Sequence, residues 1–167
     1  MLKLEFPNES YKNQYLEMIE EWKNYEKPTS PGKLFVWATF EEFLVIINKD
    51  LTDNEYRVNS ALFFLIKWDT ILWAIHIRHH IDHPILIETG WHIGYGIRPS
   101  TRWKWYAIEM LRLWLKEAKK LWIQKALITC DDDNIASAKI IEANGWIFER
   151  YAQEDGKKVR RYWIDNN

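Results

Sequence analysis

Glycine is in short supply in this chain. Its 167 residues include 6 glycines, where ordinary usage of about 7% would supply roughly twelve. Few positions can therefore take a positive φ without steric cost. Cysteine is nearly absent. Cys130 stands alone, which excludes an intramolecular disulfide and favours a reducing compartment, so the chain reads as cytoplasmic. Charge of one sign is also lacking, with 23 basic against 24 acidic residues and a formal net of −1. That excludes the basic footprint of a nucleic-acid binder. No apolar run approaches the ~20 residues needed to cross a bilayer, and the opening MLKLEFPNES lacks the apolar core of a signal peptide. The residue in excess is tryptophan, with 11 copies.

The length fits one domain, 1–167, with a sizeable hydrophobic core. Leu2–Phe6 alternates as a strand. Pro7–Ser10 is a turn able to cap a helix, and Tyr15, Met18, Ile19 and Trp22 set an amphipathic helix over Tyr11–Tyr25. A loop over Lys27–Gly32 precedes a second helix, capped by Thr39 and reaching about Asn48. Ser60–Ile66 and Ile71–Arg78 form a hairpin around Trp68-Asp69. A polar, histidine-bearing loop runs through Pro84, and His92–Ile97 is a glycine-bearing strand. A long helix follows, with Ile108, Leu111, Leu115 and Ala118 as its buried stripe. Lys125–Cys130 is a buried strand in which Cys130 reads as an inert thiol. Ile135–Asn144 is a helix stopped by Gly145. Phe148–Ala152 and Val159–Ile164 close the chain as a hairpin through Glu154-Asp155-Gly156. The basic pairs Lys157-Lys158 and Arg160-Arg161 read as a solvated strand edge. The order is β-α-α-β-β-β-α-β-α-β-β.

One segment carries chemistry. The strand ending at Ile97 leads through Arg98-Pro99-Ser100-Thr101-Arg102-Trp103-Lys104-Trp105-Tyr106-Ala107 into the long helix. A helix N-terminus presents unpaired N–H groups and partial positive charge, a ready site for phosphate. Arg98, Arg102 and Lys104 add cationic charge there. Taken alone, basic residues before a helix are as readily explained by solvation.

His92–Ala107 resembles the acetyl-CoA-binding region of the GNAT N-acetyltransferase superfamily, where a bulged strand runs into R-x-x-G-x-G/A and a helix. Arg102, Lys104 and Ala107 stand in that pattern. Asn134-Ile135-Ala136-Ser137 through Ile141-Glu142-Ala143-Asn144-Gly145 resembles the family's downstream asparagine-helix-glycine stretch. The resemblance implies an α/β (α+β) GNAT fold: a mixed, mostly antiparallel twisted sheet, splayed at the acetyl-CoA site and flanked by helices. It implies that Tyr95, Gly96 and Ile97 lie along pantetheine. Arg98, Arg102, Trp103, Lys104, Trp105, Tyr106 and Ala107 would meet the pyrophosphate, and Asn134 and Ser137 would support the CoA arm. The activity implied is direct transfer of acetyl from acetyl-CoA to a primary amine of a small molecule or peptide. A monomer or homodimer is expected, with neither nucleic acid nor membrane as partner.

The departures from the family share one direction. Trp103 and Trp105 stand at phosphate-loop glycines, Trp122 and Trp146 at helix ends, and Trp68 in a hairpin turn. Trp73, Trp91, Trp37 and Trp114 could also replace glycine. Glycine at all nine positions would give 15 glycines and 2 tryptophans, close to ordinary usage. One hypothesis is that the gene uses UGA for glycine and this chain reads it as tryptophan. UGG codons at these sites would overturn it. A deliberate Gly→Trp design and a natural divergence are the rivals. As written, Trp103 and Trp105 would crowd amides that must face phosphate, which leaves a second reading: a GNAT-fold binding module unable to hold CoA.

For acetyl transfer, the amine must lose a proton and the tetrahedral intermediate needs an oxyanion donor. The base candidates are His92, Glu88, His76 and His79. The family's tyrosine acid aligns with Ile141, so that group is missing from its usual place. His76, His79, His80 and His83 lack partner cysteines, and no metal is expected.

Overall fold

The computed structural model describes residues 1–24, 38–52, 58–101, 106–154 and 156–166, without the side chains of Ile85 and Thr89. The expected loop at Lys27–Gly32, Trp37, and Arg102, Trp103, Lys104 and Trp105 lie outside the described residues. Seven strands are hydrogen-bonded in the order β1-β2-β3-β4-β5-β7-β6, mostly antiparallel and flanked by helices. The chain divides into two compact units, 1–77 with 94–104, and 78–93 with 105–167.

In the first unit, β1 (Leu2–Glu5) pairs antiparallel with β2 (Ser60–Lys67), Leu2 opposite Lys67. Asn8 caps a 3₁₀ turn by accepting from Ser10 N at 3.0 Å. Helix α1 (Lys12–Lys23) then buries the four residues its spacing predicts, Tyr15, Met18, Ile19 and Trp22. Helix α2 (Phe40–Thr52) starts at a reciprocal capping box: Thr39 N donates to Glu42 Oε2 (2.8 Å) and Glu42 N to Thr39 Oγ1 (3.2 Å). It runs a turn beyond the expected Asn48, because Leu51 and Thr52 continue it with no breaker. Tyr15 stacks on Phe43 (4.9 Å between ring centres), and Phe43 on Phe64 (6.0 Å), joining both helices to β2. β2 is buried along both faces, as its unbroken apolar run requires.

The hairpin from β2 to β3 (Thr70–Arg78) turns at Trp68 and Asp69, with φ of 46° and 61°. Two successive positive φ values mark a type I′ turn, which favours glycine or asparagine. The backbone thus accepts the expected hairpin with a tryptophan in a glycine-type position. Strand β4 (Ile93–Ile97) belongs to this unit from Gly94 onward, and Tyr95 stacks on Trp73 with ring centres 6.3 Å apart.

The second unit opens with an element that the sequence reading missed. Helix α3 (Pro84–Thr89) lies between the histidine-bearing loop and β4. Proline at a helix start supplies a pre-set φ, and Gly90 N closes the helix on Leu86 O at 2.8 Å. Gly90 is compulsory here, since a Cβ would sit 2.5 Å from that carbonyl oxygen.

Helix α4 (Tyr106–Lys120) buries Ala107, Met110, Leu111, Trp114 and Ala118. The expected stripe is corrected by one step of phase: Ile108 is exposed and Leu115 half-buried. The large Trp114 and Met110 define the inward face. Trp114 packs on Trp146, ring centres 5.8 Å apart, and neither indole N–H has a partner among the described residues.

Both long helices of this unit end in the same motif. After α4, Trp122 N donates to Lys119 O (3.1 Å) and Ile123 N to Ala118 O (3.0 Å). After α5 (Ile135–Ala143), Gly145 N donates to Glu142 O (2.9 Å) and Trp146 N to Ile141 O (3.4 Å). This is the Schellman arrangement, whose penultimate residue is left-handed. Gly145 has φ 82° and Trp122 has φ 60° in the equivalent place.

β5 (Lys125–Asp131) pairs antiparallel with β7 (Lys157–Asp165), which pairs with β6 (Ile147–Glu154), and Ile93 of β4 lies parallel to β5 opposite Ile128. The solvated edge expected at the basic pairs is corrected: β7 lies between β5 and β6, and of the four residues only Lys157 and Lys158 are exposed. Arg161 is buried, with Nε 2.9 Å from Glu149 Oε2, and Arg160 donates to Asp132 Oδ1 at 2.7 Å. Alternation along β7 sends neighbouring arginines to opposite faces, so they cannot share one environment.

Candidate active site

In the first unit, the end of β4 and the turn after it are held by side chains from α1 and β3. Trp22 Nε1 donates to Ile97 O at 3.1 Å. Arg98 N donates to Leu72 O at 3.1 Å, and its guanidinium Nε to Glu21 Oε2 at 2.6 Å. Glu21 also accepts from Ser100 N and, at 3.1 Å, from Ser100 Oγ. Thr101 Oγ1 accepts from Trp73 Nε1 at 3.0 Å and lies 2.9 Å from Arg98 O and 3.1 Å from Leu72 O. Arg98, expected as a free cation for phosphate, thus spends its charge on Glu21. Burial raises the Glu21 carboxyl, but the bonds from Arg98 and Ser100 outweigh it and hold the group below the usual range. His76 is half-buried on β3.

In the second unit, His92 is paired twice with Leu127. Its backbone N donates to Leu127 O at 2.9 Å, and its ring Nδ1 accepts from Leu127 N at 3.0 Å. The ring is 6% exposed. Burial, aided by the charges of His80 and Arg78, lowers its pKa to about 4. A neutral ring whose Nδ1 accepts carries its proton on Nε2. In this geometry His92 can donate a hydrogen bond but has no free lone pair to take a proton. Glu88 is exposed, its carboxylate 2.8 Å from Arg150 and its carbonyl accepting from Arg161 at 2.6 Å. His79 is half-buried with its pKa lowered, first by burial and then by His80. Burial pushes the Cys130 thiol up to about 11, as expected of an inert cysteine. Among the described residues no cluster of three or more His, Cys, Asp or Glu could hold a metal.

The α5 start shows how Asn134 is used. Its Oδ1 accepts from Ser137 N at 3.1 Å and caps the helix. That leaves Nδ2 as the side chain's donor toward a ligand. Tyr106 and Ala107 are buried at the first turn of α4. The Asn134 side-chain amide at the α5 start suits an amide-rich ligand such as CoA. The residues that sequence reasoning missed are Glu21, Trp22 and Arg161. On the amphipathic pattern of α1, Glu21 is simply a wet-face carboxylate, and nothing in the sequence ties it to a turn 77 positions further on.

A seven-stranded, mostly antiparallel sheet flanked by helices, with a glycine-bearing strand braced at its end, fits the fold expected of an acetyltransferase. The family model described as the acetyltransferase (GNAT) domain matches residues 7–147. The chain belongs to this family of acetyl-CoA-dependent acyltransferases. Solved structures agree on the fold. A ribosomal L7/L12 alpha-N-protein acetyltransferase in complex with coenzyme A is 17% identical, with TM-score 0.72, over 98% of this chain and 93% of that one. The microcin C7 self-immunity acetyltransferase MccE, bound to acetyl-CoA and AMP, is 19% identical, with TM-score 0.70, over 98% and 92%. A spermidine N-acetyltransferase chimera from Vibrio cholerae and hSSAT is 16% identical, with TM-score 0.68, over 99% and 95%. No curated protein matches the sequence.

Proposed function

We propose that this chain moves an acetyl group from acetyl-CoA to a primary amine of a small molecule or peptide by direct attack on the thioester. The observation that carries the reading is the braced strand end Ile97–Thr101, set within a family match that spans residues 7–147. Neighbours named for a ribosomal protein N-terminus and for spermidine both present amines, which supports an amine acceptor. The whole chain, 1–167, is read as one acetyltransferase domain, working in the cytoplasm as a monomer or homodimer. Acetyl-CoA supplies the activated acyl group. Backbone of Tyr95, Gly96 and Ile97 would hold the pantetheine arm. Arg102, Lys104 and the amides of residues 103–107 would hold the pyrophosphate, with Asn134 Nδ2 and Ser137 beside the arm. His76 and Glu88 are the bases proposed for the acceptor amine. His92 is assigned as a neutral donor through Nε2, because its Nδ1 is committed to Leu127.

One observation favours a second reading. Trp68 and Trp122 occupy left-handed backbone of the kind glycine favours, which supports the reading that tryptophan stands at glycine positions in this chain. The same exchange at Trp103 and Trp105 would leave a binding module without CoA. A panel of small amines and N-terminal peptides, assayed with acetyl-CoA on this chain and on Trp103→Gly/Trp105→Gly, separates the two. Acetyl transfer by the parent supports the enzyme. Transfer by neither chain sinks it.

A further inference from the structure

We infer that Glu21 is the positioning residue that sets the backbone of Ile97–Thr101 for acetyl-CoA. The inference rests on the acetyltransferase reading and adds to it a residue outside the strand-loop-helix segment.

Glu21 sits in the last turn of α1, half-buried, and receives three donors from one short stretch. Two come from side chains, Arg98 Nε and Ser100 Oγ, and one from backbone, Ser100 N. The next residue, Trp22, donates to Ile97 O at 3.1 Å. Successive residues of one helix turn thus grip the carbonyl of the last β4 residue and the amide three positions later. From β3, Trp73 anchors Thr101 through its hydroxyl (3.0 Å) and Leu72 O receives Arg98 N (3.1 Å). Every residue from Ile97 to Thr101 except Pro99, which has no N–H to give, is tied by at least one of these bonds.

The electrostatics give the carboxylate a specific task. Arg98 is only 14% exposed in its side chain. A buried guanidinium without a partner is costly, so Glu21 lets a cation sit at this turn while neutralising it. Charge for the phosphates is then left to the residues that follow. The chemistry of Glu21 is therefore geometric. Bonds to a charged acceptor are shorter and stronger than neutral ones, and three on one carboxylate hold a turn more rigidly than three separate neutral acceptors. A turn fixed before the ligand arrives lowers the ordering cost of binding.

The test compares Glu21→Gln and Glu21→Asp with the parent and with Glu20→Gln, a control on an exposed carboxylate paired to Lys23. Two quantities are read: amide hydrogen exchange over residues 97–101, with 125–131 as reference, and acetyl-CoA affinity by calorimetry alongside kcat and KM. Glu21→Gln should speed exchange at 97–101 and weaken acetyl-CoA affinity, each by about tenfold, the range expected for one charged hydrogen bond. The kcat should stay within about twofold, exchange over 125–131 should be unchanged, and Glu21→Asp should recover part of the affinity. Glu20→Gln should match the parent. Unchanged exchange at 97–101 overturns the clamp. Faster exchange with unchanged affinity overturns its role in acetyl-CoA binding. Faster exchange everywhere reports global destabilisation, and Glu21→Asp then decides: parent-like exchange over 125–131 with affinity between those of the parent and Glu21→Gln supports the clamp, and parent-like exchange at 97–101 with affinity no better than that of Glu21→Gln overturns it. A parent that takes up no acetyl-CoA sinks the acetyltransferase reading and the affinity role with it, and exchange at 97–101 then decides the clamp by itself.

Discussion

Trp122 and Gly145 do one job in two places, and the comparison isolates the price of a side chain. Both close a Schellman motif with positive φ, 60° and 82°. A left-handed non-glycine residue costs roughly 1–2 kcal/mol from contact between Cβ and the following carbonyl. Trp122 is 87% exposed, so little packing offsets that cost. Trp122→Gly should therefore raise unfolding stability by about 1 kcal/mol, seen as a higher urea midpoint at constant slope. A midpoint that falls would show that the indole makes a compensating contact. Trp68→Gly should act in the same direction, reduced by the Lys67 ammonium that sits 4.4 Å from the Trp68 ring centre. These two positions were legible before any coordinates, because helix-end and hairpin chemistry alone calls for glycine there. His92 stands out in the sequence as a base candidate, but its state is not legible there. Its folded pKa of about 4 lies below the ordinary 6.5. The folded form favours the neutral ring, so its contribution is full above pH 6.5 and is lost as pH falls toward 4. At about 1.36 kcal/mol per unit the loss reaches roughly 3 kcal/mol. Unfolding measured between pH 4 and 7 should show this slope, and His92→Asn should flatten it.

At the scale of elements, the strong periodic signals carried the element type, while helix phase and the short helix escaped. The α1 spacing placed all four buried residues, and Thr39 with Glu42 formed the box that their separation suggests. The α4 stripe was displaced because Ile108 and Leu115 look as apolar as Met110 and Trp114, and only packing separates them. α3 was missed since six residues give too little periodicity to read. Its one readable trace is Pro84 followed by an apolar run and a glycine. Gly90 is where that helix is most exposed to mutation. A Cβ would stand 2.5 Å from Leu86 O and 2.6 Å from Leu86 Cα, both backbone atoms that cannot move aside cheaply. Gly90→Ala should cost about 1–3 kcal/mol, the range for overpacking. Because Glu88 and Arg161 meet at the same helix, it should also disturb the 2.6 Å bond from Arg161 to Glu88 O. Circular dichroism melts would register the first effect and proteolysis near α3 the second. Equal stability of variant and parent would mean that the α3 end is free to shift.

For the molecule as a whole, the deciding quantity is how strongly acetyl-CoA favours the folded state. A ligand bound only by the folded chain stabilises it by RT ln(1 + [L]/Kd), about 2.7 kcal/mol at one hundred times Kd. For a chain of this size, 167 residues, each kcal/mol moves the thermal midpoint by roughly 2–4 °C, so saturating acetyl-CoA should raise it by about 5–10 °C. A donor proposed for this is the side-chain amide of Asn134, whose Oδ1 is committed to the cap of α5. The proposed obstacle is tryptophan at 103 and 105, where the family resemblance leads one to expect glycine. Replacing both with glycine should raise the shift at a fixed acetyl-CoA concentration, because the amides gain close approach to phosphate. A parent that does not move beside a variant that does assigns the present sequence to the binding-module reading and locates the cause in those two side chains. If neither midpoint moves at millimolar acetyl-CoA, the braced turn at Ile97–Thr101 serves another ligand. A parent that moves as far as the variant shows that the indoles stand clear of the phosphates.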